Sequence, residues 1–276
     1  MADYTLSKSK MDRILKAEET QPHAVLGMHP VAAGGKKGVV VRAFLQNTEK
    51  CLAILLDEKG EESHRFELKK TAPEGFFEGF TDVVSDVCRY RLRGDLDNGE
   101  IRQFFDPYSF LPALGEQDLY LFNEGNEHFV YNKLGAHRRE FNGVRGVAFA
   151  VWAPSAKRVS VVGDFNQWDG RYHPMRSLGN SGVWELFVPG LGEGTTYKYE
   201  IHGADDSLRL KTDPYATRFE PPPHNASIVA KVDEFEWTDH EWLEKRASQD
   251  WKKSPVSIYE VHANSWQRVS EDGNRP

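Results

Sequence analysis

The sequence is poor in the features that mark secreted, membrane-spanning or nucleic-acid-binding proteins. It has two cysteines in 276 residues, Cys51 and Cys88, which are too few for a disulfide framework and are expected as small buried thiols. No apolar run reaches the length of a membrane span, and the N-terminal segment is too charged for a secretory signal. Lys and Arg number 35 against 42 Asp and Glu and are scattered, so neither nucleic acid nor a membrane is expected as a partner. We therefore expect a protein of the reducing cytoplasm with a neutral polar ligand.

The sequence also lacks the patterns that bind metals or phosphates. No cluster of His, Cys or Asp has the spacing of a metal site, so neither a metal nor a cofactor is expected. The glycine-rich stretch at 190–194 (GLGEG) is typical of a hairpin turn, because no helix and no Lys-Ser/Thr pair follows it.

What the sequence does contain is an internal repeat. The matching segments are 44–47 with 152–155, 89–92 with 198–201, and 106–108 with 213–215, at offsets of 107 to 109 residues. Three matches in one order at nearly one offset indicate two homologous domains, each of about a hundred residues, a typical domain size.

Each copy of the repeat reads as short strands separated by turns. In the second copy, Trp184 and Leu186 alternate with polar or smaller residues, and several neighbouring runs show the same period of two. The pattern predicts an all-β fold of two tandem immunoglobulin-like β-sandwich domains. Trp152 and Trp184 lie in such runs, and the repeat places Phe44 and Phe77 at the equivalent positions. We therefore predict that all four rings pack in the cores.

Helices are predicted only at the edges of these domains. Met11, Ile14 and Leu15 form a weak apolar stripe typical of a short docking helix, and a capping box from Thr238 to Glu241 opens a helix that runs to about 249. A strand follows at 256–262 (VSIYEVH) and has no counterpart in the repeat. The predicted organisation is an N-terminal helix in 1–20, a first sandwich in 21–115, a connector in 116–140, a second sandwich in 141–235, and a linker helix with the start of a further domain in 236–276.

Several segments together resemble a known family. The block VWAPSAKRVSVVGDFNQWDGRYHPMR, followed by SGVWELFVPG, TYKYEI and LKTDPYA, resembles the carbohydrate-binding module family 48 domain of bacterial glycogen branching enzymes. QPHAVLGMHP and YNKLGAH resemble the additional N-terminal domain and connector of these enzymes. PVSIYEVHANSW resembles the first strand of their (β/α)8 catalytic barrel, which belongs to glycoside hydrolase family 13. The resemblance thus covers nearly the whole chain, in the order of the family.

The resemblance implies a 1,4-α-glucan branching enzyme, a glycosyltransferase of glycogen biosynthesis that moves α-1,4-glucan segments onto 6-hydroxyls and so forms α-1,6 branches. Its nucleophilic Asp and acid/base Glu would stand on later barrel strands. No residue of this sequence matches them, so no catalytic residue is assigned and the chain alone is expected to be inactive. Its expected role is to bind α-1,4-glucan or glycogen and position it for its own catalytic barrel, as a monomer.

Two other interpretations remain open from the residues. One is a stand-alone, non-catalytic glycogen-targeting module, against which the strand at 256–262 speaks. The other is an immunoglobulin-like adhesion or scaffold protein, against which the absence of a signal peptide and of paired cysteines speaks.

The resemblance gives three candidate glucan-binding residues. Trp168 of the FNQW loop would stack on a sugar ring, although it could instead anchor the domain against the barrel. Lys198 would bind hydroxyls but also fits an ordinary solvated position, and Asn225 lies near prolines, where Asn favours a turn. The second tryptophan that such modules carry after the lysine is missing, and Leu208 and Leu210 stand near its place.

Overall fold

The computed structural model describes residues 4–231, 236–262 and 266. The chain divides into two compact units, residues 1–232 and 233–276. The first unit contains two β-sandwiches in succession, which confirms the predicted fold class. None of the described helices is both long enough and apolar enough to cross a membrane.

The first sandwich is built from one continuous antiparallel sheet. Its strands are β1 (Gly27–Ala33), β2 (Lys36–Phe44), β3 (Thr48–Leu56), β4 (Glu62–Ala72), β5 (Phe76–Thr81), β6 (Tyr90–Leu96) and β7 (Ile101–Phe105). They run in the order β1-β2-β5-β4-β3-β6-β7, so β4 joins the two halves of the sandwich. Helix α1 (Lys8–Leu15) closes one end, where Ile14 is fully buried against Phe44 and Phe76.

The second sandwich has two separate sheets. Its strands are β8 (Gly135–Phe141), β9 (Val144–Trp152), β10 (Ala156–Gly163), β11 (Arg176–Ser177), β12 (Val183–Pro189), β13 (Thr196–Gly203), β14 (Leu208–Lys211), β15 (Arg218–Phe219) and β16 (Ser227–Ile228). One sheet has the order β11-β12-β9-β8, and the other has the order β10-β13-β16-β15 with β14 also paired to β13. Helix α2 (Glu116–Asn123) lies between the two sandwiches in the chain.

The repeat seen in the sequence is a repeat of structure. Strands β1, β2 and β3 begin 108 residues before β8, β9 and β10. Each copy also buries a tyrosine hydroxyl that donates to an aspartate at 2.6 Å, from Tyr90 to Asp106 and from Tyr197 to Asp213. The copies differ after their third strand: the first continues into the long strand β4, whereas the second forms the loop 164–175 that carries Trp168.

Three of the four aromatic rings predicted for the cores are buried, and one is not. Phe44, Phe77 and Trp184 are at most 5% exposed. The prediction for Trp152 is wrong, since this residue is 53% exposed. In β9 it is Phe149 and the other odd-numbered residues that point into the core, so the last residue of the strand points outward. Phe44, its equivalent in β2, also ends its strand but is covered by the cluster around α1.

The elements around the sandwiches differ from the prediction in three places. β8 begins inside the segment predicted as connector, 116–140, and helix α2 lies within that segment. Helix α3 (His240–Ser248) begins after Asp239 and has no side-chain cap, so the predicted capping box does not form. The strand predicted at 256–262 is absent as well: Ile258 is 89% exposed, and no described residue forms a β-ladder with this segment. An extended segment without such a neighbour has nothing to fix it as a strand.

Candidate binding site on the second sandwich

The loop after β10 is closed by the side chain of Asn166. Its Oδ1 accepts the backbone N–H of Gly163 at 3.0 Å, and its Nδ2 donates to the Val161 carbonyl at 3.0 Å. Gly163 is required by close packing, because a Cβ there would lie 2.3 Å from the Thr196 carbonyl oxygen. The sequence G-x-x-N thus folds the loop back on the end of β10.

Trp168 has a backbone conformation that few large residues adopt. Gln167 and Trp168 have φ values of 55° and 62°, both in the left-handed region. Such conformations cost of order 1–3 kcal/mol each and persist where the surroundings hold them, often at binding sites. Here the Trp168 N–H donates to the Gly163 carbonyl at 2.9 Å, which fixes the turn.

The indole of Trp168 is held by Asp164. Its Nε1 donates to Asp164 Oδ1 at 2.8 Å, and Asp164 Oδ2 accepts the Thr196 hydroxyl at 2.9 Å. The ring is half-buried. The loop therefore leaves Trp168 partly exposed and holds its ring in a fixed orientation.

Lys198 and Asn225 are in direct contact. Lys198 Nζ donates to Asn225 Oδ1 at 2.5 Å, and the Asn225 carbonyl accepts the Thr212 hydroxyl at 3.0 Å. Thr196 and Lys198 are alternate residues of β13 and share its outer face. The structure thus brings the three residues predicted from the sequence to one face of the β10-β13-β16 sheet.

The missing second tryptophan leaves an apolar surface. Leu210 pairs with Glu200 across β13 and β14, so its side chain lies on the same outer face as Lys198. Leu208 and Leu210 are 60% and 53% exposed. Two exposed leucines therefore lie along the strand next to the lysine.

The opposite side of the loop packs on the first sandwich. The Tyr108 hydroxyl lies 3.3 Å from the Tyr172 carbonyl oxygen, and the rings of Phe44 and Tyr172 are 4.7 Å apart. Gln46 Nε2 donates to Gln167 Oε1 at 2.9 Å. Sequence reasoning missed this interface, and its only signal was the aromatic and proline content of the segment RYHPM.

His173 fixes the inner side of the same loop as a neutral ring. Its Nδ1 accepts a hydrogen bond from Asn166 Nδ2 at 3.0 Å. Burial lowers the pKa of His173 from 6.5 to about 4, so the ring is uncharged near neutral pH. This neutral acceptor supports Asn166, which shapes the loop around Trp168.

The charged groups near the loop are paired with one another. Arg158 contacts Glu200 at 2.9 Å, and Arg171 contacts Asp169 at 2.6 Å. Burial acts to raise the pKa of Asp169, but its bonds to Arg171 and the charge of Arg171 outweigh burial, so the pKa lies below its usual value. Within the described part of the chain no group of three His, Cys, Asp or Glu residues could hold a metal ion. The face offers an indole, two leucines, an amide and an ammonium, a set suited to holding an uncharged hydroxylated ligand.

Two family models match the chain, one on each sandwich. Residues 7–108 match the N-terminal domain of the alpha-1,4-glucan branching enzyme GlgB. Residues 133–216 match carbohydrate-binding module 48, the isoamylase N-terminal domain.

Curated relatives match across both domains. The 1,4-alpha-glucan branching enzyme GlgB of Myxococcus xanthus is 45% identical over 100% of this chain and 36% of the relative. The protein of the same name from Paraburkholderia xenovorans is 47% identical over 96% of this chain and 35% of the relative. The chain thus spans about a third of the length of the curated relatives it matches.

Among solved structures, pullulanase from Anoxybacillus sp. LM18-11 aligns with 70% of this chain and 26% of its own, at 17% identity and a TM-score of 0.31. At that score the likeness carries no conclusion about function. The two family models match successive parts of the chain, and the curated relatives match across both parts. The chain is therefore similar along its length to the 1,4-alpha-glucan branching enzymes GlgB, and its two sandwiches match, in this order, their N-terminal domain and carbohydrate-binding module 48.

Proposed function

We propose that this chain is the glucan-binding, substrate-positioning part of a 1,4-α-glucan branching enzyme, and that Trp168, Lys198 and Asn225 form its glucan site. The observation that carries the proposal is the fixed indole of Trp168 on the same sheet face as the Lys198–Asn225 pair. The flat apolar face of a glucose ring suits an indole. The amide and the ammonium can exchange their mutual bond for bonds to sugar hydroxyls.

The two leucines of β14 extend this site. Leu208 and Leu210 lie exposed where related modules carry a second tryptophan. They offer apolar area to the next sugar without the defined plane of an aromatic ring. We therefore expect the site to depend on Trp168 more than a two-tryptophan site would.

We propose that the parent enzyme transfers α-1,4-glucan segments to 6-hydroxyls during glycogen biosynthesis. The curated relatives that support this are named 1,4-alpha-glucan branching enzymes. We also propose that the chain alone is inactive, that it acts in the cytoplasm and that it is a monomer. A stand-alone glycogen-targeting module is the alternative function. The same glucan face would serve it, and the presence or absence of branching activity in the natural protein separates the two.

The glucan site can be tested by native gel migration with and without embedded glycogen. The parent chain is expected to be retarded, and Trp168→Ala is expected to lose roughly tenfold or more in affinity, as truncating a central aromatic contact does. Trp152→Ala is the matched control, because this exposed tryptophan belongs to the opposite sheet. Equal retardation of all three folded proteins would show that Trp168 does not bind glucan and would favour its role as an interdomain anchor.

A further inference from the structure

A cleft lies between the two sandwiches, on the inner side of the Trp168 loop. It has a volume of about 400 Å³, and small-ligand sites typically have roughly 300–1,000 Å³. The first sandwich contributes the open end of its core, from β2, β6 and β7, and the second contributes the loop 165–173 and the end of β12. The cleft is therefore large enough for a small ligand and is formed only where the domains meet.

The walls of the cleft are aromatic and aliphatic. Phe104 and Phe165 line it from the two domains, with Leu96 and Leu191 beside them. All four side chains are only partly buried, so they keep surface that a ligand could cover. Removing such surface from water is favourable and is the main attraction the cleft offers.

The polar groups of the cleft are uncharged or already paired. Arg102 is bonded to Glu100 at 3.0 Å, and Asp106 accepts from the buried Tyr90 hydroxyl. Gln46 and Gln167 face each other across the cleft with a single hydrogen bond of 2.9 Å. Each amide has more donors and acceptors than this one bond uses. The cleft thus offers amides and apolar rings rather than an ionic partner.

We propose that this cleft is a second carbohydrate site, which takes a short stretch of an α-1,4-glucan between the two domains. Aromatic walls with amide groups suit the apolar faces and the hydroxyls of sugar rings, and the absence of an unpaired charge among the described lining residues disfavours an ionic ligand. The proposal rests on the proposed function, because it assigns a second binding site to the same class of ligand. Gln167 lines the cleft while the next residue, Trp168, serves the outer face, so one loop borders both sites.

The experiment is a calorimetric titration of the 276-residue chain with maltoheptaose. The parent is expected to bind at two sites, and Trp168→Ala at one. Leu96→Trp, which fills the cleft from the first sandwich, is also expected to bind at one site, and the double variant at none. Leu111→Trp is the matched control, because Leu111 is 84% exposed and does not line the cleft, and it should keep both sites.

A second variant tests the cleft independently, in case Leu96→Trp does not fold. Gln46→Ala removes one cleft amide without adding volume, and in the Trp168→Ala background it should weaken the remaining binding by roughly tenfold, the loss expected for about one net hydrogen bond.

The outcomes separate the two proposals. If Trp168→Ala abolishes all maltoheptaose binding, the cleft is not a site and the outer site stands. If Trp168→Ala leaves binding unchanged while Leu96→Trp and Gln46→Ala reduce it, the cleft stands and the outer site fails. A parent chain that binds no maltoheptaose overturns both.

Discussion

Asp164 is the residue that gives Trp168 a defined orientation. One carboxylate oxygen accepts the indole N–H and the other accepts the Thr196 hydroxyl. Asp164→Ala frees the ring and is expected to weaken glycogen binding by about fivefold, from the loss of roughly 1 kcal/mol of preorganisation and hydrogen bonding. Asp164→Asn keeps an acceptor for the indole and should bind nearly as the parent does. Affinity gels with graded glycogen measure both, and equal loss in the two variants would contradict an orienting role.

His173 makes the stability of the second sandwich depend on pH. Its pKa is about 4 in the folded chain and 6.5 when exposed. Between these values the unfolded chain binds more protons, so this histidine lowers the free energy of unfolding as pH falls from about 6.5 to about 4. The expected loss is about 1–3 kcal/mol over that window.

The contribution of His173 is measured by comparing the parent with a variant. Other buried groups titrate in a similar pH range and change the stability in the opposite direction. Burial raises the pKa of Asp106 to about 6, which strengthens the fold as pH falls. Urea unfolding of the parent and of His173→Gln at pH 7 and pH 4.5 isolates the histidine. The variant should lose less stability between the two pH values, and parallel curves would show that His173 does not titrate as argued.

At the scale of elements, β11 and β12 are joined by a buried ion pair. Arg176 contacts Glu185 at 2.8 Å, and Glu185 is fully buried. Burial raises the pKa of Glu185, and the charge and hydrogen bond of Arg176 oppose that rise. The same pair also holds the segment that follows β7, because Arg176 donates to the Phe110 carbonyl at 3.0 Å.

Removing one partner of this pair should cost more than replacing both. Arg176→Met leaves a buried carboxylate without its cation and is expected to lower the unfolding free energy by about 3–5 kcal/mol. Arg176→Met with Glu185→Leu removes both charges and should recover part of the loss. Chemical denaturation of the three proteins measures the effect, and a double variant less stable than the single one would contradict it.

Alternating apolar residues in the sequence predict which strand residues are buried. They do not predict burial that depends on contacts with other elements. Trp184 and Phe77 were predicted as core and are buried, since their strands are covered on both sides. Trp152 shows the same local pattern but is 53% exposed, because its side chain points away from the core and is met only edge-on by Phe122 of α2. The segment 256–262 has strand-like residues, but no described residue pairs with it as a neighbouring strand. The sequence of a single segment does not show whether such a neighbour exists.

The candidate site was also predictable only in part. The motif with Trp168 identified three residues that the structure brings to one face. It gave no sign of Asp164 as the support of the indole, or of the contact between Lys198 and Asn225. The contact between Lys198 and Asn225 joins residues that are distant in sequence, and the bond between Trp168 and Asp164 depends on the left-handed turn of the loop. Spacing along the chain reports neither.

At the scale of the molecule, Tyr108 connects the two sandwiches. It packs against the core clusters of both, and its hydroxyl lies near the carbonyls of Tyr172 and Pro174. Burial raises the pKa of Tyr108, so the hydroxyl stays protonated in any ordinary buffer. The two domains are therefore expected to unfold together.

Calorimetry tests this coupling. The parent should show one cooperative transition for the two sandwiches, whereas Tyr108→Ala should show two, with the second sandwich separated from the first. Tyr131→Ala is the matched control, since this tyrosine is 55% exposed and outside both clusters. Two transitions in the parent would show that the domains are independent already.

The loop between β10 and β11 has one side at the proposed glucan site and the other side on the first sandwich. Trp168 faces the proposed ligand, while Tyr172 packs on Phe44 of the first sandwich. Thermodynamic linkage then requires reciprocity: if a glucan orders this loop, it stiffens the joint between the domains by the same free energy with which a stiff joint favours the glucan. Glucan binding at Trp168 and the rigidity of the contact between the two sandwiches would therefore increase together.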